Sequence, residues 1–134
     1  MMKSEKLSFV ATATDAVALF CAALPREQKE ERVFVLPLDA HGKVLAKPIL
    51  VSVGSEDGTT AIDAGAIFRA AFKAGAEEII VAHNHPSGNL KPSKADIVAT
   101  KELADFAKRL GVELLDHLIL AGGDFLSFKE RNLI

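Results

Sequence analysis

The 134-residue chain has one cysteine, no tryptophan and no tyrosine. A lone Cys21 excludes an internal disulfide and any cysteine-rich zinc module. It falls in a helical apolar pattern, where a buried and inert thiol is expected, and a reducing cytoplasm is the expected compartment. The eight Phe residues lie mostly inside periodic apolar segments, so no platform for stacking bases is evident. There is no basic excess either. The formal net charge is -2, which argues against a chain that wraps nucleic acid, because phosphate neutralisation needs clustered Lys and Arg. No apolar run is long enough to cross a bilayer, so no membrane partner is expected. Lys3 and Lys6 ahead of the apolar stretch 16–24 imitate a signal peptide, but Asp15 interrupts the run and no small-residue cleavage site follows.

What is present is the composition of a globular domain, 49% apolar and 25% charged. A chain of this length buries roughly two-thirds of its unfolded surface and needs no covalent staples. A single domain over 1–134 is expected, with no internal repeat and no low-complexity segment. Thr14 or Asp15 can cap a helix running to about 24, with Ala16, Leu19, Phe20 and Ala23 as its apolar face. A β-branched strand over 31–38, a turn at 39–42 and a return strand over 44–53 read as a hairpin. Pro48 in the return strand points to an edge position or a bulge. A polar loop over 54–60 leads to Asp63, the expected cap of a helix to about 73 that Gly75 closes. A strand over 77–83, a helix over 93–110 closed by Gly111, a strand over 112–121 and a short strand over 125–128 complete the chain. The order α-β-β-α-β-α-β-β implies an α/β fold with a mixed sheet covered by helices.

The chemistry concentrates in His-Asn-His-Pro-Ser-Gly-Asn-Leu-Lys-Pro-Ser-Lys-Ala-Asp, residues 83–96. His83 and His85 stand two apart at the end of the apolar run 79–82, and in a strand such residues point to one side. Pro86, Gly88 and Pro92 impose a turn-rich loop, after which Asp96 falls in the first turn of a helix. A loop folding back brings that carboxylate beside the two rings: two nitrogens, one oxygen and an open position, the ligand set of a catalytic zinc site. The plain alternative makes the histidines polar strand ends, with Ser93 the helix N-cap and Asp96 its partner in a capping box. That accounts for Ser93 and Asp96 but not for two histidines on one face. Capping and metal binding can also coexist, because Asp96 has two oxygens. The letters His-Asn-His are shared with the HNH nucleases, but there the three residues are spread over a ββα unit. The His-x-Glu and Pro-Cys-x-x-Cys of a zinc deaminase are absent.

The spacing His-x-His-Pro, six residues, Ser, two residues, Asp resembles that of the JAB/MPN metallopeptidases with the JAMM motif, most closely their RadC-like bacterial branch. The resemblance runs from about residue 10 to the end. It rests on 83–88, on Pro92-Ser93-x-x-Asp96, on Leu115-Asp116-His117-Leu118-Ile119 and on Val35-Leu36-x-Leu38-Asp39. It implies a cytidine-deaminase-like α/β fold, one Zn2+ held by His83, His85 and Asp96, and Glu31 as general acid and base, with Glu30 the nearest competitor. It also implies that Ser93 helps to hold an oxyanion, and that the reaction is hydrolysis of a peptide or isopeptide amide in a peptide or protein substrate. Zinc suits two imidazoles and a carboxylate, although iron or manganese uses similar ligands. The other activity the resemblance suggests is a non-catalytic metal-bound module tied to DNA repair or processing. The charge balance disfavours direct DNA contact. A homodimer is compatible with the sequence, which does not decide the oligomeric state.

Two departures from the RadC-like pattern stand out. Ala64-Gly65-Ala66 replaces the usual Pro-Arg-Glu, and the helix-hairpin-helix segment that often precedes the domain is not in the sequence. Asn84, where eukaryotic members carry Ser or Thr, is normal for the branch. Asp116 and His117 sit in an apolar strand pointing to opposite faces, and the default for each is a satisfied core or edge residue, with a supporting role behind the metal ligands as the lesser alternative. His41 is expected to be solvated in its turn.

Overall fold

The structure is a computed structural model that describes residues 8–54 and 62–134. Its elements are α1 (Ala13–Ala23), β1 (Arg32–Leu38), β2 (Ile49–Val53), α2 (Ala64–Lys73), β3 (Glu78–Asn84), α3 (Lys94–Leu110), β4 (Glu113–Ala121) and β5 (Asp124–Ser127). The strands form one five-stranded sheet in the order β2-β1-β3-β4-β5. Only β3 and β4 are parallel, joined by α3, and the other neighbours are antiparallel. This is the mixed α/β sheet that the element order implies. Most of the polar loop expected over 54–60 lies outside the described residues.

Helices cover both faces because the central strands are apolar on both. In β1 and β3, only the first residue escapes full burial. Val33, Val35, Ile79 and Val81 pack against Ile67, Phe68 and Ala71 of α2 and Leu103 and Ala107 of α3. Phe34, Leu36, Ile80 and Ala82 face the other way, onto Ala16 and Phe20 of α1. His83 continues the alternation of Ile79 and Val81, so its ring belongs to the α3 side. That alternation is what brings a strand histidine to the start of a helix.

Several boundaries differ from the sequence reading, each for a local reason. Helix α1 is capped by Thr12, whose hydroxyl accepts from Asp15 N at 3.3 Å, while Asp15 Oδ2 accepts from Thr12 N at 3.2 Å. Asp15 is thus the third residue of a capping box rather than the cap. Ala23 and Cys21 are exposed, because the helix turns Ala16 and Phe20, flanked by Ala13, Val17 and Leu19, to the sheet and leaves Cys21 and Ala23 off that face. The expected buried thiol is therefore a surface one. The return strand is broken: Val44 bridges Leu38, the chain then leaves the ladder, and pairing resumes at Ile49 just after Pro48. Proline has no N–H to give to a ladder, so it precedes β2 instead of sitting in it. β2 is nevertheless an edge strand, as that proline suggested.

Phe20 is wholly buried and its ring lies 6.4 Å from that of Phe34. Replacing it with Ala should cost about 3–5 kcal/mol. Urea denaturation is the check, read as a lowered midpoint with an unchanged slope.

Candidate metal centre

Glu31 precedes β1 and is only 7% exposed. Its place is set by Asn84, the last residue of β3. The Asn84 Oδ1 accepts from Arg32 N at 2.7 Å and its Nδ2 donates to the Glu30 carbonyl at 3.0 Å, so one side chain holds the backbone on both sides of Glu31. The Glu31 carbonyl also accepts from Gly54 N at 2.7 Å. With β1 and β3 paired at Val33↔His83, the carboxylate and the nitrogens of His83 and His85 lie within 4.8 Å of one another. These three residues are close enough to bind a metal ion.

The two rings present their Nε2 atoms to each other at 3.0 Å. His85 is oriented from behind, since its Nδ1 lies 2.7 Å from the Asn89 carbonyl oxygen. A carbonyl only accepts, so Nδ1 carries the proton and Nε2 faces the site. Asn89 reaches that position through a turn in which Gly88, at φ +86, donates to the His85 carbonyl at 3.0 Å. A side chain is strained at such a φ, which is the reason for glycine there.

Asp96 comes from the other direction, in the first turn of α3. Its Oδ1 lies 3.7 Å from His83 Nε2 and its Oδ2 3.5 Å from His85 Nε2. The same Oδ2 accepts from Ser93 N at 2.9 Å, and Ser93 Oγ accepts from Asp96 N at 2.9 Å. The capping box and the approach to the imidazoles therefore coexist. Burial works to raise the Asp96 carboxyl, yet the two imidazoles and the Ser93 N–H hold it well below the usual carboxylate range. The Asp96 carboxylate in turn raises the His85 imidazole, against burial and with help from Asn89 and Glu31. Glu31 is pushed up by burial, against the pull of His83 and His85.

These donors fit a cation. A tetrahedral ion bound at about 2.0–2.1 Å needs ligand atoms about 3.3 Å apart. The two Nε2 atoms are 3.0 Å apart, and each has one Asp96 oxygen near that spacing, Oδ1 at 3.7 Å from His83 and Oδ2 at 3.5 Å from His85. Two imidazole nitrogens and a carboxylate turned toward one point concentrate lone pairs that only positive charge reconciles.

Two residues at the site, Asn84 and Thr100, have roles that the sequence does not single out: Asn84 reads there as the residue usual for the branch, with no task attached, and Thr100 as one more helix residue. His117 is the satisfied core residue that its apolar strand suggests, wholly buried, and its partners bear out the lesser reading as well by putting it behind His83: its Nε2 lies 2.7 Å from His83 Nδ1 and its Nδ1 2.6 Å from Thr100 Oγ1. Burial, reinforced by His83, drives its pKa well below the ordinary value. The signal for His117 is an imidazole in the middle of β4, beside Asp116 and between apolar runs, but its partner depends on strand order. Asp116 is the satisfied core residue expected, accepting from Ser127 Oγ at 2.6 Å and from the backbone of His117 and Lys129. His41 is exposed in its turn, as expected.

Asn84→Ala removes the partner of a part-buried N–H at Arg32 and of the Glu30 carbonyl, so it should destabilise the protein by about 1–3 kcal/mol. Chemical denaturation measures this. A loss near zero would show that water replaces the amide and that Asn84 does not hold Glu31.

Comparison with known proteins places this geometry in a family. The model of the RadC-like JAB domain matches residues 10–133. A UPF0758 protein of Acaryochloris marina is 43% identical over 122 residues, 89% of this chain and 49% of its own length. One from Chlorobium chlorochromatii is 37% identical over 129 residues, 96% of this chain and 57% of its own. One from Methanosarcina mazei is 35% identical over 109 residues, 81% of this chain and 47% of its own. The chain thus spans about half the length of the curated relatives it matches. Among the described residues no helix is long and apolar enough to cross a membrane. With His83, His85 and Asp96 drawn together beside a buried Glu31, and with nearly its whole length matched, the chain belongs to the RadC-like JAB domain family.

Proposed function

We propose that the chain is a zinc-dependent hydrolase of the JAMM type that cleaves a peptide or isopeptide amide, with zinc held by His83, His85 and Asp96. The observation that carries this reading is the convergence of two Nε2 atoms and one carboxylate, 3.0–3.7 Å apart, beside a buried glutamate. Bound there, zinc supplies Lewis acidity, lowering the pKa of a water molecule to about 7 and polarising a carbonyl.

The chain's own residues do the rest. Glu31 takes a proton from the attacking water and returns it to the leaving amine, and burial, by raising its pKa, moves it toward the range where a carboxyl can do both near neutral pH. Ser93 already accepts the Asp96 N–H, so its own hydroxyl proton is the group it has to donate to an oxyanion. Asn89 keeps the His85 proton on Nδ1, away from the reacting atoms. The edge strand β2 supports an extended substrate: Val53 pairs with Arg32, next to Glu31, so its outer edge offers backbone groups to a chain laid alongside.

Elemental analysis after zinc loading should find one ion per chain, and little in His85→Ala. Iron or manganese in its place would change the metal and leave the ligands. Hydrolysis of a peptide library by the loaded protein tests the activity. Glu31→Gln should lower the rate by about 10²–10⁴ while retaining the ion. Undiminished turnover in that variant removes Glu31 from the mechanism. Ser93→Ala should cost about 10²–10³ in kcat, read on protein shown to be folded because the same change removes a helix cap.

A further inference from the structure

Three hydrogen bonds run from the first turns of α3 to the back of the His83 ring. Thr100 Oγ1 lies 2.6 Å from the Asp96 carbonyl oxygen and 2.6 Å from His117 Nδ1. His117 Nε2 lies 2.7 Å from His83 Nδ1. The direction of each bond follows from the one group that has no choice. A carbonyl oxygen only accepts, so the single Thr100 proton is committed to Asp96, and Thr100 must accept from His117 Nδ1–H. His117 is 0% exposed, and its ring nitrogens meet only a hydroxyl and another imidazole, with no carboxylate to balance a charge. It is therefore neutral. Its one proton is on Nδ1, its Nε2 is an acceptor, and His83 must carry its proton on Nδ1. What remains on His83 is a bare Nε2 lone pair, at the atom that faces His85 and Asp96.

We propose that Thr100 and His117 are positioning residues that lock His83 in its Nδ1–H tautomer, so that the site presents its ligand nitrogen before any cation arrives. This rests on the reading of His83 as a ligand but not on any hydrolytic activity. The relay also closes a circuit. It starts at the Asp96 backbone and ends on the ring beside the Asp96 carboxylate, so the helix turn and the strand tip are registered against each other through β4. A residue that merely filled space would not need this chemistry. His117 stacks on Phe128 at 4.5 Å and 13°, a place where an apolar ring would pack without burying polar atoms.

Long-range proton–nitrogen correlation spectra of metal-free protein with labelled histidine read the tautomer directly. The expected result for His83 is a protonated Nδ1 and an unprotonated Nε2. Thr100→Val keeps the shape and removes the hydroxyl, which frees His117 to move its proton to Nε2, and His83 should shift toward the Nε2–H form. Zinc affinity, measured by competition with a chromophoric chelator, should fall about 10–100-fold in Thr100→Val and His117→Leu. His117→Gln should stay close to the parent, because its amide oxygen accepts from His83 and its amide N–H donates to Thr100. If His117→Leu does not fold, the valine and glutamine variants carry the comparison. A parent protein with His83 protonated on Nε2, or a Thr100→Val variant with parental tautomer and zinc affinity, overturns the proposal. A protein that shows the expected tautomer and affinities but cuts no amide overturns only the hydrolase reading.

Discussion

The two oxygens of the Asp96 carboxylate are used differently, and the site depends on that division. Oδ2 accepts the Ser93 N–H at 2.9 Å and lies 3.5 Å from His85, while Oδ1 turns to His83. A helix start has backbone N–H groups without partners and a partial positive charge, so a carboxylate there is stabilised before any metal is considered. Because successive helix residues are turned by about 100°, a start one residue later would swing Asp96 off the imidazoles. Fixing the helix start with Ser93 is what aims the Asp96 carboxylate at the two imidazoles.

The sheet supplies the other half. β3 and β4 are parallel, and the loop that leaves β3 to begin α3 lies at their carboxyl ends, the side of a parallel pair where sites are generally built. β1 runs antiparallel to β3 on the other side and so delivers Glu31 to the same end. The other buried polar side chains of the described residues are satisfied: His83, Asn84, Thr100, Asp116, His117 and Ser127 all make hydrogen bonds, to one another or to the backbone. Glu31, unlike the buried carboxylate of Asp116, is set against two imidazoles. A carboxylate left outside a closed network keeps the freedom to gain and lose a proton that the proposed role of Glu31 needs.

Where the sequence and the structure part, the cause is competition between a local signal and a longer-range one. Thr14 and Asp15 both carry capping oxygens, but Thr12 wins because it pairs with Asp15 three residues on. The apolar neighbours of Cys21 suggest burial, yet the face that packs on the sheet is centred on Ala16 and Phe20 and leaves Cys21 outside it. Pro48 marked an edge strand correctly, but it ends the excursion before β2 instead of kinking the strand. None of these lies at the end of the sheet that carries Glu31, His83 and His85.

The sequence by itself determined what is local: the His-x-His at a strand end, the Gly88 turn, the Ser93 cap with Asp96 three residues later, and an element order compatible with a mixed sheet. These depend on spacings of a few residues, and backbone geometry turns such spacings into faces and caps without reference to the rest of the chain. Only the tertiary structure decided which distant groups meet. Asn84 reaches the backbone beside Glu31 across 52 residues, and His117 reaches His83 across 34. Those meetings follow from strand order and register, which are set by packing the two faces of the sheet against three helices, and no short stretch of sequence carries that information.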